Sequence, residues 1–379
     1  MARKRICIVV TSLYPIEVFM MGQIAKMSDI YDVTVLTKTE DVDFLERRGI
    51  HATILSVPLE RKIDLLMDLW VLFIIFRHFL RNKYDIVHTV TPKAGLIGMT
   101  AAKLAGTRVR IHTFTGQVWG TRRGIVRSIL KCADAITSFM ATIILADSSS
   151  QLDYIVAEGV VSKKKARVLG KGSISGVDTT RFNANSERKI VTKRKCGIHQ
   201  DAFVFLYMAR LTRDKGAIVM ALAFAEFSRN DKSSYLLIVG PDEEQVRPAI
   251  REICAECEDR VVFVDFVSDP ENYMAAADVF CMPSFREGFG TAMINASSVG
   301  IPVLASKIYG SIDAVEDGVT GFLFEPGNDK ELAGLMQKLK CDESLCRSLG
   351  LNGRKRTIEF FSEGKLTEEL LQLYKCAIG

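Results

Sequence analysis

Residues 202–240, AFVFLYMARLTRDKGAIVMALAFAEFSRNDKSSYLLIVG, contain two short apolar runs separated by a segment of helical length. The runs AFVFLYMA and SYLLIVG are rich in β-branched and aromatic residues, which is typical of buried strands. The residues between them, 216–228, have the spacing of a helix. A strand, a helix and a second strand in this order form the repeating unit of a parallel sheet. This stretch therefore predicts a doubly wound α/β fold.

The same alternation extends outward along the whole chain of 379 residues. Other strand candidates are ICIVV, DVTVLT, ATILSV, DIVHTV, RVRIHTF and TIILAD in the first half, and VVFVDFV, VFCMPS, PVLAS and GFLF in the second. Further helices are predicted over residues 18–28, 63–81, 94–105, 243–257, 272–277 and 291–299. A basic run followed by a Gly/Ser-rich stretch predicts the domain boundary, with a hinge, between residues 163 and 185. We therefore predict two Rossmann-like domains, residues 1–168 and 169–356, and a closing helix within 357–379.

Composition restricts the class of protein further. The chain is 48% apolar and 25% charged, which excludes disorder, and its nine scattered cysteines favour reduced thiols in the cytoplasm over a disulfide framework. Residues 1–182 hold 26 Lys and Arg against 16 Asp and Glu, whereas the remainder holds 24 against 29. A basic first half suits an anionic membrane or a diphosphate-bearing acceptor, although a solvated face explains it equally well. Nucleic-acid motifs are missing, so we predict no nucleic-acid partner.

The most apolar segment of the sequence is LWVLFIIF, residues 69–76. It lies between Asp68 and Arg77 and is far shorter than the roughly 20 residues that span a bilayer. We therefore predict a buried helix here, in preference to a membrane contact.

Functional residues in a parallel sheet are expected just after the strands, because ligands bind outside the carboxyl ends. After AFVFLYMA come Arg210 and Lys215, followed by Gly216 at the start of a helix. Two cations beside a helix N-terminus suit a diphosphate. Taken alone, a solvated strand end explains them as well.

A second candidate segment is PSFREGFGTAMINASS, residues 283–298. Glu287 stands in a glycine-rich turn, where a carboxylate can accept hydrogen bonds from sugar hydroxyls. Thr291 begins a helix, and Asn295 follows one turn later on the same side. Helix capping is the alternative role for Glu287, and the segment by itself favours neither.

Several motifs together resemble those of a known enzyme family. They are Arg210 with Lys215-Gly216, EGFG…GIPV at residues 287–303, IYGSIDAVEDGVTGFLFEPGN at 308–328 and GVDTTRF at 176–182. This set resembles the retaining nucleotide-sugar glycosyltransferases of family 4, over the whole chain. The resemblance implies the GT-B architecture: two Rossmann-like domains facing a central cleft, with the C-terminal helix packing back on the N-terminal domain.

The family resemblance implies roles for residues of the second half. Arg210 and Lys215 match the pair that neutralises the nucleotide diphosphate, and Glu287 matches the acid associated with the hydroxyls of the donor sugar. The family's second acid, usually on the ribose, is replaced by Asn295, which can still donate or accept a hydrogen bond. Backbone amides that would contact sugar and phosphate belong to Gly288, Phe289, Gly290 and Thr291.

The first half resembles family members that build bacterial capsule, O-antigen and other lipid-linked glycans. The matching stretches are YDIVHTVTPKAGLIG, residues 84–98, and RIHTFTGQVW, residues 110–119. A histidine that usually precedes a glycine near the transferred sugar is Thr115 here, and His112 lies three residues earlier on the opposite strand face. His112 is therefore either a substrate residue or a core histidine. The acceptor-side candidates are Lys93, Gly95, His112, Thr115, Gly116 and Gln117.

The expected function is that of a retaining hexosyltransferase with a UDP-sugar as donor and a polyprenyl-diphosphate-linked saccharide as acceptor. The resemblance implies neither a metal nor a cofactor. The reduced cysteines favour the cytoplasm, and the basic first half favours a peripheral position on the inner face of the cell membrane. Two alternatives stay open. The chain can be a non-catalytic nucleotide-sugar-binding partner of another transferase, as Asn295 and Thr115 suggest, or a GT-B sugar-nucleotide epimerase. A dehydrogenase is disfavoured because no GxGxxG follows the first strand.

Overall fold

The computed structural model describes residues 3–60 and 64–379. The chain forms two compact units. The first is Met1–Gly176 together with Glu363–Gly379, and the second is Val177–Ser362.

The boundary between the units therefore lies at residue 176, within the predicted segment 163–185 but eight residues beyond the predicted domain end at 168. The segment just before the boundary belongs to the first unit because the amide of Ser173 donates to the carbonyl of Asp147 at 2.6 Å. The next residue, Val177, instead donates its amide to the carbonyl of Phe361 at 2.7 Å. The return to the first unit falls at Glu363, a few residues beyond the predicted residue 357.

Seven parallel strands form the sheet of the first unit. They are β1 (Arg5–Val9), β2 (Asp32–Thr37), β3 (Ala52–Ser56), β4 (Ile86–Val90), β5 (Val109–Phe114), β6 (Ile143–Ala146) and β7 (Ala166–Val168). Their order in the sheet is β3-β2-β1-β4-β5-β6-β7. The sequence predicts the first six, because strands buried on both faces are continuous apolar runs. It misses β7, a short edge strand without full burial that lies in the basic segment.

Helices cover both faces of this sheet. They are α1 (Met21–Ile30), α2 (Leu65–Arg81), α3 (Pro92–Leu104), α4 (Gly124–Met140) and α5 (Ser149–Ala157). A π-helical turn, Ile16–Met20, leads into α1. The side chain of Asp64 caps α2 by accepting the amide of Met67 at 3.1 Å, and residue 63 of the predicted helix lies outside the described residues.

The prediction that residues 69–76 are buried holds for only two of the eight residues, and three of the others are exposed. Val71 and Ile75 are fully buried, but Leu69 and Trp70 are more than half exposed. The helix is apolar on all sides, so only one of its faces can pack against the sheet. Among the described residues, no helix combines the length and apolarity needed to cross a membrane.

Six parallel strands form the sheet of the second unit. They are β8 (Val204–Met208), β9 (Tyr235–Val239), β10 (Val261–Val264), β11 (Val279–Met282), β12 (Val303–Ser306) and β13 (Gly321–Phe324). Their order is β10-β9-β8-β11-β12-β13. The sequence predicts all six. Together the two sheets confirm the predicted class, two Rossmann-like doubly wound units.

The helices of the second unit occupy both faces of its sheet, with a hydrophobic core on each side. They are α6 (Ser186–Lys195), α7 (Ala217–Ser228), α8 (Arg247–Ile253), α9 (Pro270–Ala276), α10 (Thr291–Val299), α11 (Ser311–Ala314), α12 (Asp329–Cys341) and α13 (Glu343–Phe360). The helix predicted at 243–257 is shorter in the structure: α8 ends at Ile253, and 3-10 turns over Ala255–Arg260 follow it, interrupted at Cys257 with φ −140°. Both Cys254 and Cys257 are buried in the core.

The last helix, α14 (Glu363–Ile378), packs on the first unit, as the family resemblance implies. Its Tyr374 is fully buried, and its hydroxyl is 2.5 Å from Nδ1 of His88 on β4. Nε2 of the same imidazole is 2.7 Å from Oγ1 of Thr113 on β5. Burial lowers the pKa of His88 to about 3, so the ring is neutral at physiological pH. This chain of hydrogen bonds joins the C-terminal helix to the centre of the sheet.

We expect Tyr374→Phe to lower the free energy of unfolding by about 1–3 kcal/mol, because it leaves a buried imidazole nitrogen without a partner. Urea denaturation followed by circular dichroism measures this change. Tyr235→Phe, at a partly buried tyrosine of the second unit, is the control. If both variants unfold like the wild type, the hydrogen bond to His88 does not stabilise the return of α14.

Candidate active site

The carboxyl edge of the second sheet has a topological switch point between β8 and β11. These strands are neighbours, with Tyr207 opposite Cys281. Helix α7 connects β8 to β9, and α10 connects β11 to β12, so the two connections run in opposite directions along the sheet. The two helices diverge from adjacent strands, so their N-termini meet at the same edge. Such a point is where open α/β sheets bind ligands.

The structure brings Lys215 and Glu287 together at this switch point. Lys215 precedes α7 and Glu287 precedes α10, and their Nζ and Oε1 atoms are 2.6 Å apart. The side chains are only 18% and 9% exposed, so water screens this ion pair little. The carboxylate therefore holds the ammonium group in place beside the two helix N-termini. Both residues are predicted from the sequence, but their contact is not.

A close backbone approach makes this pairing possible. Gly216 has φ +73°, and a Cβ at this position would lie 1.9 Å from the carbonyl oxygen of Pro283. Only glycine fits both the left-handed backbone and the contact. The amide of Phe285 donates to the carbonyl of Asp214 at 2.9 Å and joins the same two turns.

The turn before α10 presents backbone rather than side chains. Gly290 is left-handed at φ +84° and directly precedes Thr291, the first residue of the helix. Phe289 is buried and its ring lies 5.2 Å from that of Phe361, so its side chain belongs to the core. Gly310 packs against the turn, because a Cβ there would lie 2.7 Å from the carbonyl oxygen of Gly288. The amides in the first turn of a helix such as α10 can bind an anion or a hydroxyl.

Asn295 and Thr291 lie one turn apart on α10, and both are partly exposed. This placement agrees with the predicted common side of the helix. The side-chain amide of Asn295 is therefore on the same side of α10 as Thr291, near the carboxyl edge of the sheet.

Arg210 follows β8 and is paired differently. Its Nη1 is 2.6 Å from Oε2 of Glu243, and its carbonyl oxygen accepts the hydroxyl of Tyr207 at 3.2 Å. Burial, together with the charge of Glu287, raises the pKa of Tyr207 far above its usual range, so the hydroxyl stays protonated. A diphosphate that binds the guanidinium would have to compete with Glu243.

Two residues of the site are missed by the sequence analysis. Asp214 Oδ2 lies 3.7 Å from Nη2 of Arg286, which adds an ion pair next to that of Lys215 and Glu287. The guanidinium Nε of Arg286 is buried without a hydrogen-bond partner among the described residues. No local pattern indicates this pair, since it depends on the approach of two separate turns.

The acceptor-side candidates of the first unit follow two neighbouring strands. Lys93 follows β4, and Thr115, Gly116 and Gln117 follow β5. The strands pair with Val90 opposite Thr113, so both turns lie at the same edge of the sheet. Lys93 forms an ion pair with Asp68 of α2, with Nζ and Oδ1 2.5 Å apart.

His112 and Gly95 are core residues in this arrangement. His112 is 1% exposed, and its Nδ1 is 2.8 Å from Oγ1 of Thr89. Burial, with a smaller effect of His88, lowers the pKa of His112 to about 3. A Cβ on Gly95 would lie 2.4 Å from Cε1 of His112, so this glycine makes room for the ring. This placement favours the core alternative for His112, and Thr115, which is partly exposed, is the more accessible residue.

The remaining turn residues are also held firmly. Gly116 has φ +110° and is buried, and Gln117 accepts a hydrogen bond from Nε2 of Gln151 at 3.3 Å. Thr91, which the sequence analysis does not select, has the unusual φ of +80° just before Pro92. Backbone strain of this kind costs about 1–3 kcal/mol and clusters at functional sites. A residue before proline normally prefers extended geometry, so the sequence contains no signal for it.

Both halves of the chain match known protein families. Residues 16–172 match the glycosyl transferase 4-like domain, and residues 189–356 match glycosyl transferases group 1. The capsular polysaccharide biosynthesis glycosyltransferase CapM of Staphylococcus aureus is 34% identical, over 84% of this chain and 83% of its own. The UDP-Gal:alpha-D-GlcNAc-diphosphoundecaprenol alpha-1,3-galactosyltransferase of Escherichia coli is 26% identical, over 83% of this chain and 81% of its own.

Solved structures share the fold over nearly the whole chain. HepE of Anabaena, in complex with UDP and glucose, has a TM-score of 0.82 at 20% identity and covers 98% of this chain and 99% of its own. The sucrose-phosphate synthase of Thermosynechococcus elongatus has a TM-score of 0.81 at 22% identity, with 98% of each chain covered.

The chain belongs to the family 4-like glycosyltransferases of GT-B fold. It is a glycosyltransferase, an enzyme that moves a sugar from a donor to an acceptor. No group of three or more His, Cys, Asp or Glu side chains within residues 3–60 and 64–379 is arranged to hold a metal ion.

We expect Gly216→Ala to destabilise the second unit more than Gly318→Ala. Both glycines are left-handed, at φ +73° and +72°, but a Cβ on Gly318 meets nothing within 4 Å. The backbone strain is therefore matched, and the difference of about 1–3 kcal/mol reports the forced shift of the Pro283 carbonyl. Chemical denaturation of both variants measures it. Equal losses of stability would mean that the two turns separate at little cost.

Proposed function

We propose that the enzyme transfers a hexose from a UDP-sugar to a polyprenyl-diphosphate-linked saccharide, with retention of the anomeric configuration. The proposal includes a role in capsule or related surface-glycan synthesis, at the cytoplasmic face of the cell membrane. The names of the relatives from Staphylococcus aureus and Escherichia coli support the pathway and the acceptor class. The UDP complex of HepE supports the nucleotide.

The observation that carries the proposal is the shielded pair of Lys215 and Glu287 between two helix N-termini. A nucleoside diphosphate has negative charge that must be stabilised as it leaves. Lys215, Arg210 and the amides at the start of α10 provide positive charge and hydrogen-bond donors at one edge of the sheet. Glu287 orients the ammonium group, and its second oxygen can accept a hydroxyl of the donor sugar.

In this reaction the bond between the anomeric carbon and the diphosphate oxygen breaks, and an acceptor oxygen bonds to the same carbon on the same face. The acceptor proton passes to the departing diphosphate, which keeps the electron pair of the broken bond. Lys215 and Arg210 would stabilise that charge. We propose that no metal ion is required, because these cations take the role that a divalent ion has in other transferases.

The acceptor would bind at the carboxyl edge of the first sheet. Lys93 there suits a phosphate group, and Thr115, with the backbone of Gly116, can hydrogen-bond a sugar. In both units the candidate residues follow parallel strands, where helix N-termini and turn amides are available.

The two alternative functions give different products. A sugar-nucleotide epimerase would convert its donor into another nucleotide sugar without any acceptor. A non-catalytic partner would bind the donor and release nothing. Analysis of nucleotide products with and without a lipid-linked acceptor therefore distinguishes all three.

We expect Lys215→Ala to lower kcat by about 100-fold or more, the size of loss seen when one preorganised charge-stabilising group is removed. Transfer of labelled sugar to a lipid-linked acceptor measures the rate, and circular dichroism checks the fold. Lys215→Arg retains the positive charge, so comparing it with Lys215→Ala separates the effect of losing the charge from the effect of losing side-chain volume. Lys232→Ala, at an exposed lysine after α7, is the matched control. Turnover like that of the wild type in Lys215→Ala would contradict the proposed site.

Donor choice is tested with a thermal-shift series of UDP-, GDP- and ADP-sugars. A ligand at 100 times its Kd stabilises the native state by about 2.7 kcal/mol, which is readily measured. We expect stabilisation by UDP-sugars alone, unchanged by EDTA. Stabilisation by GDP- or ADP-sugars instead would overturn the proposed nucleotide, and dependence on a divalent ion would overturn the proposed metal independence.

A further inference from the structure

Helix α4 exposes an apolar stripe, whereas its buried residues, Asp134, Thr137 and Ser138, are polar. Its outward residues recur at helical spacing, and Ile125 and Phe139, near its two ends, are 73% and 69% exposed. The residues facing inward include Asp134, whose Oδ2 accepts Nε1 of Trp119 at 2.8 Å. This is the reverse of the usual surface helix of a soluble protein. The exposed apolar members of the stripe are Ile125, Val126, Ile129, Ile136 and Phe139.

Helix α2 presents a second apolar stripe. Its inward residues, Val71, Ile75 and Phe79, fill the core, so the exposed apolar side chains are not needed for packing. Leu66 is 82% exposed, and Trp70 stacks on Phe73 with ring centroids 5.8 Å apart. The exposed members of the stripe are Leu65, Leu66, Leu69, Trp70, Phe73 and Leu80.

The two stripes belong to the same layer of helices. Both α2 and α4 pack against α3, which lies between them and contacts β4 and β5. Scattered exposed apolar residues need no explanation, but two continuous stripes on neighbouring helices indicate a binding surface. We call the two stripes together the α2–α4 surface.

Positive charge accompanies this surface. Residues 101–140 contain seven Lys and Arg but one acidic residue, the buried Asp134. Two of the seven, Arg127 and Lys131, form ion pairs with Glu158, so the excess positive charge comes from the others. Arg122 and Arg123 are exposed directly before α4. The ammonium group of Lys103 lies 3.9 Å from the ring centroid of Phe139, and Arg77 on α2 lies over Phe73 at 5.6 Å. Apolar side chains bordered by cations are complementary to a surface that is apolar inside and anionic at its boundary.

We propose that the α2–α4 surface docks the enzyme on an anionic lipid bilayer, with its apolar side chains inserted at the boundary between headgroups and acyl chains. Trp70 has the amphipathic ring that favours this boundary. The cations bind lipid phosphates around the inserted side chains. A folded protein partner would need a carboxylate at a fixed position opposite each cation. In a fluid anionic bilayer, by contrast, the lipid phosphates can move to pair with the cations.

The docked surface lies next to the candidate acceptor residues. In a parallel sheet each crossover helix starts beyond the carboxyl end of a strand, so the first turns of α2 and α4 lie at that edge. The ion pair of Asp68 on α2 with Lys93 shows this directly. This part of the inference rests on the proposed function, because a lipid-linked acceptor would present its diphosphate at the same boundary.

Sedimentation with vesicles tests the docking. The probe is large vesicles of equal parts phosphatidylglycerol and phosphatidylcholine, compared with vesicles of phosphatidylcholine alone. We expect the wild type to sediment with the anionic vesicles, less so at high salt, because salt screens the attraction. The variant Ile125→Gln/Ile129→Gln/Phe139→Gln should bind the anionic vesicles at least about tenfold more weakly than the wild type, because interfacial binding scales with the apolar area inserted. Glutamine keeps the helix propensity.

Two further variants sharpen the test. Arg122→Glu/Arg123→Glu should remove the preference for anionic vesicles. Leu351→Gln/Ile358→Gln replaces comparably exposed apolar residues on α13 of the second unit, 57% and 47% exposed, and should sediment like the wild type. Equal sedimentation of the wild type and the α4 variant would overturn the proposal. So would a wild-type dimer in solution that the α4 variant dissociates while no form binds vesicles, because the surface would then join two protein chains.

Donor binding separates this proposal from the proposed function. The α4 variant should keep the thermal stabilisation by the donor sugar and its transfer to a water-soluble acceptor analogue. A wild type that binds vesicles but no nucleotide sugar would contradict the proposed function and leave the docking surface standing. A wild type that transfers sugar but does not bind anionic vesicles would support the proposed function and overturn the docking proposal.

Discussion

The contact of Gly216 with the carbonyl of Pro283 is the constraint on which the candidate site of the second unit depends. It allows two turns, each following a parallel strand, to approach without an intervening side chain. The hydrogen bond between Phe285 and Asp214 then ties the turns together. Only because of this approach can the ammonium group of Lys215 reach the carboxylate of Glu287. The close backbone approach at Gly216 therefore determines where the charges of Lys215 and Glu287 lie.

The first unit depends in a similar way on a buried polar contact. Tyr374 of the last helix reaches His88 in the middle of the sheet, and His88 in turn reaches Thr113. Burial of an imidazole is costly unless its nitrogens have partners. The C-terminal helix supplies one of these partners. The residues after Ser362 therefore complete the core of a unit whose strands all come from the first half of the chain.

The same unit shows why polarity in a sequence does not by itself indicate exposure. Asp134 is polar and buried, because Trp119 offers it a hydrogen bond, whereas Ile125 and Phe139 on the same helix are exposed. Residues 69–76 are predicted as buried on apolar composition alone, and only Val71 and Ile75 among them are buried. A helix that is apolar all round has no periodic signal that says which face packs. The exposed face is then available for a partner outside the fold.

The amino-acid sequence alone determined the fold class, the strand order along the chain, and the placing of Lys215, Glu287 and Lys93 just after strands, because βαβ connections are local and their hydrophobic period is visible in short windows. The tertiary structure decided which of these residues meet. Lys215 and Glu287 are 72 positions apart, and Arg210 and Glu243 are 33 apart. It also decided that His112 lies in the core against Gly95, and that α4 turns its apolar side outward. Such outcomes depend on the packing of distant segments, where a shift of a few ångströms makes or breaks a contact, and no local pattern of residues records that distance.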